Sequence, residues 1–353
     1  MDSGRLARCL VLLLFIVGVV QPVLLAEVQS IPDLWNGLIG RYEKSATEHF
    51  LVRESNGNLE ILGQFLQNQD CSQMVFRGSR YTVIPLEQIE GSSVDFRGNC
   101  GSKEFFVTFH LDVRGFGVLC WVNGELFERS FYGPELGHGF RIDALEDSSI
   151  LREKALGASP PEQPVSLRKP DLVDLKTLDA PLIIDIKYAT EDNFMGIVLY
   201  PGNVAFLQRP AARALESAGK KLESLGLGLV VYDAYRPWYV TKMFWDATPP
   251  ELRGFVANPA FGSRHNRGCA VDVGLYYLQT GEYVRKPSGF DEFSERAYTD
   301  FPGGTQYERN ARDLLIRTMA EAGFSVYRDE WWHFDYHSWD QYPIMNIDFD
   351  QLP

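Results

Sequence analysis

The strongest constraint on how this chain folds is a break in its pattern. Between Leu151 and Pro170 the stretch Ala155-Leu-Gly-Ala-Ser-Pro-Pro-Glu-Gln-Pro164 strings small residues and prolines together without periodicity. Such a composition sustains neither a helix nor a strand and reads as a linker, extended in part. The 353 residues leave room for two units, each large enough to bury a core. The expected division is a β-rich domain over 27–150, a linker over 151–170 and a second domain over 171–353. No internal repeat is apparent.

The first unit reads as strands. Phe50 to Leu62 is two short runs about the pair Asn56-Gly57, a strong hairpin pattern. Phe105 to Val113 alternates at period two, with Phe105, Val107, Phe109 and Leu111 on one face. A second Asn-Gly pair, Asn123-Gly124, joins Val118–Val122 to Leu126–Phe131. A small antiparallel sheet or barrel is expected. His49, His110 and His138 are scattered and read as surface or packing residues.

The second unit mixes periods, which makes the chain α+β. Asp185 to Tyr188 reads as a short strand, Arg209 to Leu225 as a helix, and Gly226 to Tyr232 as a buried strand that delivers Asp233-Ala-Tyr-Arg-Pro237. Val271 to Leu275 reads as a strand. Ala311 to Ala322 has helical spacing with Gly323 as its cap, and Phe324 to Tyr327 is a strand leading to Glu330.

A formal net charge of −13 argues against a nucleic-acid partner, which needs a basic face. Arg5 and Arg8, an apolar run from Cys9 to Val20 and a short tail to Ala26 have the layout of a secretory signal, expected over 1–26, although an uncleaved anchor has the same pattern. The run is short for a membrane span, so no transmembrane span is expected after cleavage, and the protein is expected to be exported, periplasmic or extracellular. An exported chain admits disulfides. Cys71 and Cys100, both in polar surroundings, are the candidate pair, and closing that loop contributes roughly 3–4 kcal/mol in the chain-entropy model. Cys120, within Val118-Leu-Cys-Trp-Val122, reads as a buried free thiol and Cys269 as a packing residue.

Two clusters carry chemistry. Ser263-Arg-His-Asn-Arg-Gly-Cys-Ala-Val-Asp272 holds an imidazole and a carboxylate seven residues apart, and Glu330-Trp-Trp-His333 holds another of each. A catalytic zinc takes three ligands from His and Asp/Glu and leaves one position open. His265, Asp272 and His333 can be those three, with Glu330 as the base. Taken singly, the first cluster reads as well as a hydrogen-bonded surface pair, and His333 as a satisfied core histidine. An ionisable pair in an apolar setting is costly, and a metal would resolve that cost in both places at once. Glu330 and His333 lie on opposite faces of a flat strand, so a turn or bulge must bring them to one point.

Ser-x-His-x6-Asp followed by Glu-x-x-His resembles the M15 metallopeptidases, which share their fold with the hedgehog signalling domain. Tyr188-Ala-Thr-Glu-Asp-Asn-Phe-Met-Gly196, Tyr232-Asp-Ala-Tyr-Arg-Pro-Trp238 and Glu330-Trp-Trp-His333 resemble, in order, the D-alanyl-D-alanine dipeptidases of that group, over about residues 170–345. The resemblance implies a domain with a central antiparallel sheet, one zinc per chain, and hydrolysis of D-Ala-D-Ala or a similar dipeptide. It implies a catalytic role for Arg236, whose alternative is a salt bridge to Asp233 or another acid. It implies substrate contacts for Ser263, Tyr188, Asp192 and Asn193, of which Ser263 and the Asp192-Asn193 pair read equally as loop-shaping residues. Trp331 and Trp332 are expected to wall the site. Peptidoglycan fragments are a further expected substrate, and D,D-carboxypeptidases and endopeptidases of the group share the ligand set. A non-catalytic zinc-binding role is the other alternative. Gly40-Arg-Tyr42 with the hairpins after it resembles the lipocalin-like modules appended to some bacterial hydrolases.

Overall fold

The computed structural model describes residues 31–64 and 71–352, apart from the side chain of Pro134. The expected secretory segment lies outside the described residues. The N-terminal domain is a closed eight-stranded barrel. After a helical turn, α1 (Asp33–Asn36), come β1 (Gly40–Ser45), β2 (Glu48–Ser55), β3 (Asn58–Gly63), β4 (Gln73–Phe76), β5 (Ser79–Gln88), β6 (Asp95–Cys100), β7 (Lys103–Leu111), β8 (Gly117–Val122) and β9 (Glu125–Ser130). Neighbours pair antiparallel, β9 returns to β1, and β3 closes the ring by pairing Leu59–Gly63 with Thr82–Leu86 of β5. The remaining strand, β4, pairs only with the start of β5 and forms a hairpin with it.

Alternation builds this barrel. In β7, Phe105, Val107 and Phe109 are buried while Glu104, Phe106 and Thr108 face solvent. Aromatic side chains pack its interior: Tyr42 stacks on Phe50 at 5.4 Å, and Phe109 meets Phe96 edge-on at 5.8 Å. Both Asn-Gly pairs turn as expected, with φ of 51° and 78° at Asn56-Gly57 and 51° and 83° at Asn123-Gly124. Cys71 and Cys100 are disulfide-bonded, whereas Cys120 and Cys269 are buried free thiols.

The break at 151–170 is more ordered than its composition predicts. Ser148–Leu156 forms a helix, α2, capped by the Asp147 carboxylate accepting from the Ser149 N–H at 2.8 Å. Leu151 and Ala155, four apart, are buried in the C-terminal core, a tertiary contact that outweighs the weak local pattern. Residues beyond it have no regular element up to Pro170 but are tied down at Gln163, which bonds both backbone groups of Ile344.

The C-terminal domain is mixed α/β. A two-stranded piece, β10 (Leu172–Asp174) with β12 (Phe206–Gln208), flanks a five-stranded sheet. That sheet has the order β11 (Leu182–Ile184), β13 (Leu227–Asp233), β14 (Ala270–Tyr277), β16 (His333–Tyr336), β15 (Phe324–Val326). Pairings from β13 to β15 are antiparallel, and only β11 lies parallel to its neighbour. Helix α3 (Arg209–Glu223) buries Ala211, Leu215, Ala218 and Leu222, and α4 (Trp238–Ala247) packs against α2. Helix α5 (Gln306–Glu321) starts before the expected Ala311, because Thr305 and Glu308 form a reciprocal capping box. The strand expected at Asp185–Tyr188 ends at Ile184, and Tyr188 lies in a 3-10 turn over Lys187–Ala189.

The barrel rests on this domain through Leu51, Leu62, Phe76 and Tyr81, which pack with Phe301, and through an Arg41–Glu295 ion pair at 2.9 Å.

Candidate metal centre

The sheet itself assembles the site. Asp272 on β14 pairs in register with His333 at the start of β16, so their side chains leave the same face of adjacent strands. His265 comes from a 3-10 turn over His265–Arg267 just before β14. Gly268, at φ 64°, ends that turn, and a Cβ there would meet Leu172 and the Gln208 backbone. Glu330 stands in the turn preceding β16, where the His333 N–H bonds back to the Glu330 carbonyl at 3.3 Å. That turn removes the opposite-face problem of an i, i+3 pair.

Three donor atoms converge. Nε2 of His265 lies 3.0 Å from Nδ1 of His333 and 3.3 Å from Oδ1 of Asp272, and His333 Nδ1 lies 3.0 Å from the same oxygen. A tetrahedral zinc at about 2.0–2.1 Å from each donor holds donors roughly 3.3 Å apart, so this His-Asp-His set fits the ion. All three residues are buried. The opposite ring nitrogens are already engaged: His265 Nδ1 is 2.6 Å from the Ala234 carbonyl, and His333 Nε2 is 3.0 Å from Oδ1 of Asp335. Donation to those acceptors leaves His265 Nε2 and His333 Nδ1 as the free lone pairs, the arrangement characteristic of metal-binding histidines.

Electrostatics match a site built for a cation. The carboxylates of Asp335 and Asp272 hold the His333 pKa well above the ordinary imidazole value against its burial. Burial, with Asp272 nearby, pushes the Glu330 carboxyl up to about 7, while the His333 charge draws it down. Its Oε2 lies 3.8 Å from His333 Nδ1. Arg236 makes the buried salt bridge to Asp233, with Nε and Nη2 at 2.9 and 2.7 Å from Oδ2, and also lines the pocket over the triad.

That pocket encloses about 300 Å³ and contains the triad, Glu330, Arg236, Ser263 and Tyr188. Phe194, Phe244, Phe255 and Phe293 supply its apolar wall. Ser263 accepts from the His265 N–H at 3.2 Å, so it shapes the ligand turn as well as facing the pocket. The other expected site residues lie elsewhere. Asp192 is exposed and pairs with Lys187 at 3.0 Å. Asn193 is buried and donates to the Thr190 and Ile197 carbonyls, both at 2.7 Å, which holds the loop. Trp331 and Trp332 do not wall the pocket: they are core residues, and Trp331 donates to Ser288 Oγ at 2.8 Å.

Two acids at the site, Asp335 and Asp291, were missed, and Asp233 was named only as a salt-bridge partner of Arg236. Asp335 follows His333 by two on a strand, and that spacing alone places it on the same face. Asp233 sits beside Arg236 in sequence but its bond to the Tyr200 hydroxyl at 2.9 Å is tertiary. Asp291 has a left-handed φ of 53°, lines the pocket, and accepts from the Tyr188 hydroxyl at 2.6 Å. Nothing local marks it.

A mixed α/β domain with a buried His-Asp-His cluster, and a nearby carboxyl group lining the same pocket, defines a zinc-dependent metallopeptidase of the M15 type. The family model described as D-ala-D-ala dipeptidase, peptidase M15, matches residues 168–349, and the chain belongs to that family. It is 35% identical over 179 residues to the D-alanyl-D-alanine dipeptidase of Escherichia coli, spanning 51% of this chain and 91% of the relative. It is 35% identical over 171 residues to that of Enterococcus faecalis, spanning 42% and 83%. With the Streptomyces coelicolor enzyme it shares 34% over 171 residues, again 42% and 83%.

Proposed function

We propose that this protein hydrolyses D-alanyl-D-alanine, or a similar short D-amino-acid dipeptide, to free amino acids. The observation that carries the reading is the convergence of the triad, Glu330 and Arg236 on one pocket of about 300 Å³, at the small end of ligand pockets. His265, Asp272 and His333 would hold a zinc ion, which when bound would supply Lewis acidity and lower the pKa of water towards neutrality. Glu330 takes the proton of the attacking water and returns it to the leaving amine. Its raised pKa suits both halves of that transfer. Arg236, fixed by Asp233, presents a permanent positive charge to the developing oxyanion. Asp291 stands on the pocket wall, where among the described residues it is bonded by the Tyr188 hydroxyl and by no cationic side chain, and receives the free ammonium of the dipeptide. The aromatic wall excludes bulk water and long side chains.

The names of the relatives support the dipeptide as substrate. Export, with wall-derived fragments as the source of substrate, is supported by the Cys71–Cys100 disulfide, a bond that persists in oxidising compartments. The test is D-Ala release from D-Ala-D-Ala by zinc-loaded protein, beside a pentapeptide wall stem. Release from the dipeptide alone is expected. Preference for the stem would move the assignment to a D,D-carboxypeptidase, and no release from either would leave a zinc-binding role.

A further inference from the structure

Among its described residues the barrel domain has three two-residue hairpin turns of the same left-handed geometry, and one breaks the rule of the other two. Asn56-Gly57 and Asn123-Gly124 use the pair that such turns favour, whereas β4 and β5 are joined by Arg77-Gly78 at φ 51° and 83°. An arginine gains nothing from positive φ. Its side chain shows what the position does. Nη1 of Arg77 lies 2.5 Å from Oδ1 of Asp329, Nη2 donates to the Arg328 carbonyl at 2.8 Å, and Nε donates to Asp300 at 2.9 Å. Its guanidinium also lies over the Tyr298 ring at 4.0 Å.

Every one of those partners belongs to the C-terminal domain, and two of them immediately precede Glu330. The turn they occupy is stitched to the 297–301 segment as well: the Arg328 carbonyl also accepts from Thr299, and the Trp331 N–H bonds to the Ala297 carbonyl at 2.9 Å. Phe76, the residue before Arg77, packs against Tyr298 and Phe301. Tyr298 in turn stacks with Phe255 of the pocket wall.

We propose that the barrel is a positioning element of the peptidase site: Arg77 braces the Arg328 carbonyl and the Asp329 carboxylate and thereby holds the Glu330 carboxyl towards the His-Asp-His cluster. Arg77 is a positioning residue and touches no reacting atom. This inference rests on the dipeptidase reading for its kinetic consequence but not for its structural one.

The test is Arg77→Asn in the full chain, which restores the Asn-Gly pair of the other hairpins and so keeps the turn while removing the guanidinium. Hydrogen exchange of the amides of 328–332 should quicken, with β14 amides unchanged. Activity on D-Ala-D-Ala should fall about 10- to 100-fold in kcat, as expected for a small displacement of a reacting group, with KM and zinc stoichiometry unchanged. Arg77→Lys, which keeps one contact, should recover part of the loss. In a Glu330→Gln background Arg77→Asn should add little, because two residues acting through one group are not additive. Unaltered exchange in Arg77→Asn overturns the proposal, and so does an equal further loss in the Glu330→Gln background. If wild type releases no D-Ala, the dipeptidase reading fails and the exchange result alone decides the brace.

Discussion

Asp335 lies two residues beyond His333 on the same strand, and its Oδ1 accepts from the ring's Nε2 at 3.0 Å. That contact turns the other nitrogen, Nδ1, towards Asp272 and His265. Removing it should loosen the ring without removing a ligand. Asp335→Asn is expected to weaken zinc binding about 10- to 100-fold, measured by competition with a chromogenic chelator. Unchanged affinity would mean that packing alone orients His333.

Zinc affinity should rise with pH. His333 has its pKa held well above the ordinary value by Asp335 and Asp272, which favours the protonated ring in the metal-free protein. A ligand nitrogen must give up that proton, and binding therefore releases it. Lower pH favours the protonated, metal-free form, and affinity increases until the pH passes the raised pKa. Titration calorimetry in buffers of different ionisation enthalpy counts the protons. Zero release at pH 7 would contradict the assignment.

Glu330→Gln keeps the size of the side chain and removes its basicity. Hydrolysis should fall by about 10²- to 10⁴-fold with zinc content retained. Loss of zinc in step with activity would instead make Glu330 a ligand.

Arg236 pairs with Asp233 and is proposed to act on the substrate, and its variants test both roles. Arg236→Ala leaves Asp233 buried without its ion-pair partner, which is expected to cost roughly 3–5 kcal/mol of stability as well as activity. Asp233→Asn leaves the Arg236 guanidinium buried and unpaired, so a stability loss of the same order is expected, with kcat lowered through a misplaced guanidinium. Equal denaturation midpoints for wild type and Arg236→Ala would show that the buried pair contributes little.

Reduction should act on the barrel. The Cys71–Cys100 bond joins positions 29 apart, and its loss should destabilise that domain by roughly 3–4 kcal/mol. A Cys71→Ser, Cys100→Ser protein should unfold at lower denaturant by barrel-sensitive probes, with zinc affinity unchanged.

What the sequence determined by itself was local or periodic. Alternation in Phe105–Leu111 and the Asn-Gly pairs specified the hairpins, because side-chain direction and turn conformation depend only on near neighbours. His265, Asp272, Glu330 and His333 were legible because their spacing repeats a family's pattern, and the structure brings all four together. Tertiary structure decided the rest. Strand pairing, not spacing, set Asp272 opposite His333, and the turn before β16 resolved which way Glu330 points. Asp192 and Asn193 shared a matching stretch with Tyr188, yet only Tyr188 reaches the pocket, since a loop sends successive side chains in different directions. Trp331 and Trp332 adjoin Glu330 in sequence but point into the core. Arg77 lies 252 residues from Asp329, and Asp291 is set by an isolated left-handed residue. Contacts of that kind depend on how two domains and distant loops pack, for which no local pattern exists.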